Sequence, residues 1–319
     1  MAIQIISNSV GKSGLSQFFP SSLERGQRSE KALSLAVAEM YINGVSTRKV
    51  RKVMEKLCGL DVTSSQVSEA AKKLDHELEK WRSRPLGCVK AAIFDAMYEK
   101  VRLNGSVVSA AVLVATGIYE DGRRSVLGVS VAISEAEVHW RTFLTDLKSR
   151  GLHGLAITVS DDHPGLKAAL TATFPGVRWQ RCQTHLQRNA SSYVTKQELR
   201  KPVATDLRNV FNAPDRIEAN RLLEAAVKKW EKSQPKLASW MEENVPEGLS
   251  VLDLPESCRK RLRTSNMAEG LNRQIRRRTR VATLFPNEAS LLRLVSAVLM
   301  EVSEEWEAGK VAISGFPNE

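Results

Sequence analysis

Apolar residues recur at helical spacing over residues 28–81, first as Leu33, Ala36, Val37, Met40 and Tyr41, then as Val50, Val53, Met54 and Leu57. Ser46 or Thr47 caps a helix that stops at Gly59, and Ser64 or Ser65 caps another that runs towards Trp81. The pattern predicts a helical segment over residues 29–87 resembling a helix-turn-helix, with an ordinary helical hairpin as the alternative. Beyond the turn at residues 84–87 the period becomes extended. VKAAIFDAMYEKVRL, SVVSAAVLVATGIY and RRSVLGVSVAI read as three antiparallel strands. The last two meet at Glu120, Asp121 and Gly122, where Asp-Gly tolerates the positive φ of a tight turn. Ser134 then caps a helix carrying Val138, Phe143, Leu144 and Leu147, and LAITVSD follows as a buried strand. HPGLKAALTATF is a helix with Pro164 in its first turn, and VRWQRC is a short strand. The predicted order is β-β-β-α-β-α-β, an α/β fold with a mixed sheet.

Residues 186–262 show helical spacing only, with breaks near Pro202, Pro214, Pro235, Pro246 and Pro255, and predict an all-helical insertion. Two final helices are expected over residues 266–280 and 287–306. The expected organisation is a loosely tethered arm (1–28), the helical segment (29–87), a core with its insertion (88–308) and a mobile tail (309–319).

Composition adds the class of partner. With 42% hydrophobic and 26% charged residues in 319, the chain has the balance of a folded protein, which excludes wholesale disorder and collagen-like or mucin-like repeats. Its net charge of +11 favours polyanionic partners. Cys58, Cys88, Cys182 and Cys258 are scattered, so no disulfide framework is expected and a reducing, cytoplasmic setting fits best. Neither a secretory leader nor an uninterrupted run of ~18 apolar residues is present, so no membrane partner is expected. The charge excess is local. Residues 47–84 hold ten basic side chains against six acids, and residues 259–280 hold nine against Glu269 alone. The second run is embedded in a helical pattern, so nucleic-acid contact is the better reading of it than a solvated face.

Three acids stand out. Asp95 lies inside the first strand among apolar neighbours, where a buried carboxylate is costly unless a metal or partner compensates it. Asp161 ends the fourth strand, at the sheet edge from which functional side chains project. If the two strands are neighbours, both carboxylates point into one cleft and suit Mg²⁺ or Mn²⁺. The plainer alternatives are an edge-exposed Asp95 and helix capping by Asp161 or Asp162. Glu269 follows Asn266 at capping-box spacing, so helix initiation is its alternative role. On a helix, however, Glu269 shares a face with Asn272, Arg273, Arg276 and Arg280, opposite the stripe Met267, Leu271 and Ile275, which suits a metal ligand beside phosphate clamps. Arg263 and Arg277 belong to the same basic run. Cys182 and His185 have C-x-x-H spacing, but a structural zinc site needs four ligands and no second compact pair exists.

The phrases FDAMYEKVR, DGRRSVLGV, VSDDHPGLKAAL, FPGVRWQRCQTHLQRN and TSNMAEGLNRQIRRRT, in this order, resemble the Mutator-type family of DDE transposases of insertion sequences. The family signature falls on Asp161, Gly165, Leu166, Gln180, Cys182 and His185, and favours Asp161 over Asp162. The resemblance implies an RNase H-like catalytic core with Asp95, Asp161 and Glu269 as the catalytic, metal-binding acids. It further implies two Mg²⁺ ions, and cleavage and joining of double-stranded DNA at terminal inverted repeats and target DNA, by a homo-oligomer at the bacterial nucleoid. Relatives usually carry a longer N-terminal DNA-binding region, which makes a truncated, catalytically impaired DNA-binding protein or repressor the competing expectation. Ala-Glu-Gly around Glu269 also replaces the family's bulkier Leu-Glu-Arg.

Overall fold

The computed structural model describes residues 40, 45, 47–58, 61–72, 74–280, 284–309 and 316. The expected arm at 1–28 lies outside them. Its five strands, β1 (Val89–Leu103), β2 (Ser106–Tyr119), β3 (Arg124–Ala132), β4 (Ile157–Ser160) and β5 (Arg178–Arg181), form one sheet in the order β3-β2-β1-β4-β5. The first three run antiparallel and β4 and β5 add in parallel on the far side of β1. Asn104 and Gly105, both at positive φ (49° and 81°), make the two-residue turn between β1 and β2, and Gly122 (77°) sits in the expected Asp-Gly corner.

Alternation along β1 sorts its side chains between two layers. The even positions Ala92 and Phe94 join a core with Trp140, Phe143, Leu144 and Leu147 of α4 (Glu137–Ser149) and with Leu166, Ala169 and Leu170 of α5 (Pro164–Thr173). The odd positions meet two further clusters. Ala91 and Ile93 pack with Ile157, Val159, Leu262 and Ala268, whereas Met97 and Val101 pack with Leu271, Ile275 and the long helix Glu288–Ala308. Asp95 falls between them. Phe316, described within the expected mobile tail, is itself buried in the first of these clusters.

The N-terminal helices are α1 (Thr47–Cys58), α2 (Ser64–Lys72) and α3 (Asp75–Arg82). The single helix expected to run towards Trp81 is thus broken. Its start is capped by Thr63 rather than Ser64 or Ser65: Gln66 N–H donates to the Thr63 hydroxyl and Thr63 N–H to the Gln66 side-chain Oε1, a reciprocal capping box. Val50, Met54 and Val67 form a small core of their own, while Trp81 joins the main core and Asp75 accepts two hydrogen bonds from Arg293. Gly59 lies outside the described residues.

Between β5 and the final helices come α6 (Gln183–Ser192), α7 (Gln197–Phe211), α8 (Arg216–Glu231), α9 (Pro235–Asn244), two 3₁₀ turns and α10 (Glu256–Leu262). Helices α6 to α9 and the 3₁₀ turns share a separate hydrophobic core that includes Leu186, Leu207, Leu223, Trp230 and Met241, while α10 packs through Cys258 and Leu262 on the cluster of Ala91 and Ile93. No strand occurs among the described residues there, as the spacing requires. Pro202 does not break the chain but sits inside α7, because Val203, Leu207, Val210 and Phe211 of that helix are buried and outweigh one lost backbone hydrogen bond. Ser134 likewise does not cap α4 directly; the N-cap is Ala136, whose N–H donates to the Ser134 hydroxyl. The last two helices are α11 (Asn266–Thr279) and α12 (Glu288–Ala308), the latter capped by Asn287.

Candidate active site

The parallel pairing of β1 with β4 matches Ile93 to Val159 and ends there; Asp161, just beyond β4, is near enough for its charge to act on the Asp95 carboxyl. Asp95 Oδ1 accepts from Ala96 N–H at 3.0 Å and Oδ2 accepts from the Asn272 amide at 2.8 Å. Burial, then the charge of Asp161, push the Asp95 carboxyl up to about 7; Glu269 adds to this, and the Ala96 N–H and His185 oppose it. The carboxyl is therefore protonated far more readily than an ordinary aspartate. Asp162 points elsewhere, pairing at 3.1 Å with Arg181, which is itself buried and also donates to Asn244 and Glu247 of the insertion.

Glu269 comes from the first turn of α11. The N-cap of that helix is Ser265, and Asn266 is already helical, so the capping box expected from Asn266 and Glu269 is not made. Glu269 Oε1 instead lies buried without a hydrogen bond, 3.9 Å from His185 Nε2. Asn272 Oδ1 is likewise buried and unbonded.

Asp95 and Glu269 line one cleft of about 610 Å³. Arg273, Arg276 and Arg277 of α11 and Arg280 at its C-cap line it, together with Arg188 and His185 of α6. Arg263 does not reach it: its guanidinium donates to Asn212 at 2.7 Å and lines a second cleft of about 750 Å³ with Arg259 and Lys260. Arg278 turns away to pair with Glu301 of α12. The basic run of the sequence thus divides among three directions. Residue spacing does not single out Arg188, which stands alone between polar neighbours. Only its position six residues after Cys182, on the helix carrying His185, hints at the cleft.

The remaining signature positions organise the acids. A Cβ on Gly165 would stand 2.5 Å from the Glu135 carbonyl oxygen, so only glycine lets α5 approach the loop before α4 and set the Asp161 segment. Gln180, fully buried, donates to the Gly248 carbonyl and accepts from Val251 N–H, fastening β5 to both 3₁₀ turns. Burial raises the Cys182 thiol, but the neighbouring His185 ring and two hydrogen bonds from Ser265 outweigh it and bring it to about 7. The Cys182 sulfur in turn raises His185, with Asp161 and Asp95 acting in the same direction.

Oxygen donors from two aspartates and a glutamate are the chemistry that hard divalent cations select, and the buried Asp95 carboxyl and the unbonded Glu269 oxygen are both groups a cation would satisfy. Among the described residues, no three His, Cys, Asp or Glu side chains form a ready-made cage around one ion.

Residues 7–309 match the model of the transposases of the Mutator family. The chain belongs to that family. It is 55% identical over 304 residues to the transposase for insertion sequence element IS406 of Burkholderia multivorans, an alignment covering 95% of this chain and 78% of that protein. It is 45% identical to the transposase for ISRM5 of Rhizobium meliloti, over 89% and 71% of the two chains. The Staphylococcus aureus transposase for IS256 in transposon Tn4001 is 36% identical, over 91% and 75%. This Mutator-family chain has no described helix long and apolar enough to cross a membrane.

Proposed function

We propose that the chain is a metal-dependent transposase that cleaves and joins DNA at the inverted-repeat ends of an insertion sequence. Asp95, Asp161 and Glu269 are its catalytic carboxylates. One observation carries the reading: Asp95, on whose carboxyl the charge of Asp161 acts, shares an arginine-lined cleft with Glu269. The sheet order, three antiparallel strands followed by two parallel ones, supports an RNase H-like core. The names of the relatives support transposition as the reaction.

Asp95, Asp161 and Glu269 are the residues that would hold Mg²⁺ or Mn²⁺. Two such ions supply an activated water or 3′-hydroxyl and stabilise the departing oxygen. The protein groups do the rest. Asn272 fixes the rotamer of Asp95 through Oδ2, and His185 faces the free oxygen of Glu269. Arg273, Arg276, Arg277, Arg280 and Arg188, which line the cleft, neutralise phosphates and hold the strand over the acids. The α1–α2 unit, with Arg48, Lys49 and Lys52 exposed, is the segment suited to contact the element's end. Recognition of two ends and a target calls for a homo-oligomer on DNA.

The test is cleavage and joining of duplexes bearing the element's own ends or scrambled ends, in Mg²⁺, by the wild-type chain and Asp161→Ala. The wild type should act on the genuine ends. Loss of a metal-holding carboxylate, worth several kcal/mol, should lower the rate about a thousandfold. Cleavage untouched by Asp161→Ala would refute the assignment, and salt-sensitive binding without cleavage by either protein would establish a DNA-binding protein instead.

A further inference from the structure

Cys182 takes no part in the chemistry above, yet it and His185 both touch the helical turn that carries Glu269. Cys182 is wholly buried at the N-cap of α6. Its N–H donates at 2.8 Å to the carbonyl of Ser160, the residue before Asp161. Its sulfur accepts from Ser265 twice, from the N–H at 3.3 Å and from the hydroxyl at 3.2 Å. Ser265 is the N-cap of α11, and its carbonyl accepts from Glu269 N–H at 3.0 Å. Three residues on from Cys182, His185 brings Nε2 to 3.9 Å from Glu269 Oε1. The next backbone step repeats the link, since Gln183 N–H donates to the Arg263 carbonyl at 3.0 Å.

We infer that Cys182 is a positioning residue whose sulfur clamps the N-terminus of α11, so that Glu269 is held in register with Asp161; this rests on the catalytic reading only in calling Glu269 a catalytic acid. The geometry explains the C-x-x-H spacing. Residues three apart at the start of a helix project to the same side, so one contacts the cap of α11 and the other its acid. The hydroxyl of Ser265 also points to the clamp. A serine at an N-cap ordinarily accepts from an N–H of its own helix, but α11 has no side-chain cap because that hydroxyl donates to sulfur. Local helix stability is given up for a tertiary link between the two segments that carry Asp161 and Glu269.

The experiment compares Cys182→Ala, Cys182→Ser and Ser265→Ala in the full chain by amide hydrogen exchange and by Mn²⁺ titration. Cys182→Ala should speed exchange at residues 265–272 about tenfold while amides of α12 stay as in the wild type. It should also weaken Mn²⁺ about 10–100-fold, as loss of a group behind a metal ligand does. Cys182→Ser keeps an acceptor and should restore both. Should Cys182→Ala not fold, Ser265→Ala deletes the hydroxyl donor and should give the same local acceleration in smaller degree. Exchange at 265–272 unchanged in the folded variants, acceleration spread evenly over the chain, or serine behaving as alanine would each overturn the clamp. If the wild type neither binds Mn²⁺ nor cleaves DNA, the catalytic reading fails, while localised exchange rescued by serine still supports the clamp.

Discussion

Asp95 is in conflict with its surroundings: a carboxyl on a buried strand, acted on by the charge of Asp161, with hydrogen bonds from the Ala96 N–H and the Asn272 amide to offset it. A carboxyl whose pKa rises on folding binds more protons in the native than in the unfolded chain between the two values. Stability from this group is therefore full below about pH 4 and lost as pH rises through about 7. Asp95→Asn retains an acceptor for Asn272 and removes the charge. It should be more stable than the wild type at pH 8, by on the order of 1–3 kcal/mol, with the gap closing towards pH 4. Thermal unfolding at the two pH values measures this, and a constant gap would mean that Asp95 is not the titrating group. The conflict was legible in the sequence, since an aspartate within IFDAMY has few inexpensive places to go. Its relief by Asn272 was not, because that contact joins residues 177 positions apart.

At the scale of elements, α11 carries the site. Ala268 is buried in one hydrophobic cluster and Leu271 and Ile275 in another, so the helix bridges the seam in which Asp95 lies. Its apolar stripe and polar face followed from helical spacing alone. The destination of each arginine did not: Arg263 and Arg278 share the run's charge, but partners from distant segments, Asn212 and Glu301, draw them away from the cleft. Replacing Arg276 and Arg277 with Ala should therefore weaken binding to unrelated duplexes alike, because guanidinium-phosphate contacts carry little sequence information. The slope of log affinity against log salt should flatten by about 0.9 for each phosphate left without its guanidinium. Binding and slope unchanged from wild type would take this helix out of the DNA interface.

Across the whole molecule the order of strands and helices along the chain could be expected because each strand announces its own period and the Asp-Gly turn fixes one pairing. The parallel addition of β4 and β5 beside β1 is what makes two aspartates, 66 positions apart by their numbers, neighbours. The insertion was recognisable by its lack of strand pattern, but its attachment was not. Gln180 and Arg181 tie β5 to Gly248, Val251, Asn244 and Glu247, contacts that depend on how a separate helical core docks. Pro202 misled for a related reason, since burial of α7 outweighs a local rule. The molecule thus brings β1 and α11 together at one arginine-lined cleft, with the end of β4 next to β1. The most direct measurement replaces Mg²⁺ with Fe²⁺ and generates hydroxyl radicals with ascorbate, then maps where the polypeptide is cut. Cuts near residues 95, 161 and 269 together, suppressed by excess Mg²⁺, are the result expected. Cuts confined to one of these segments, or clustered elsewhere and indifferent to Mg²⁺, would contradict a site shared by the three acids.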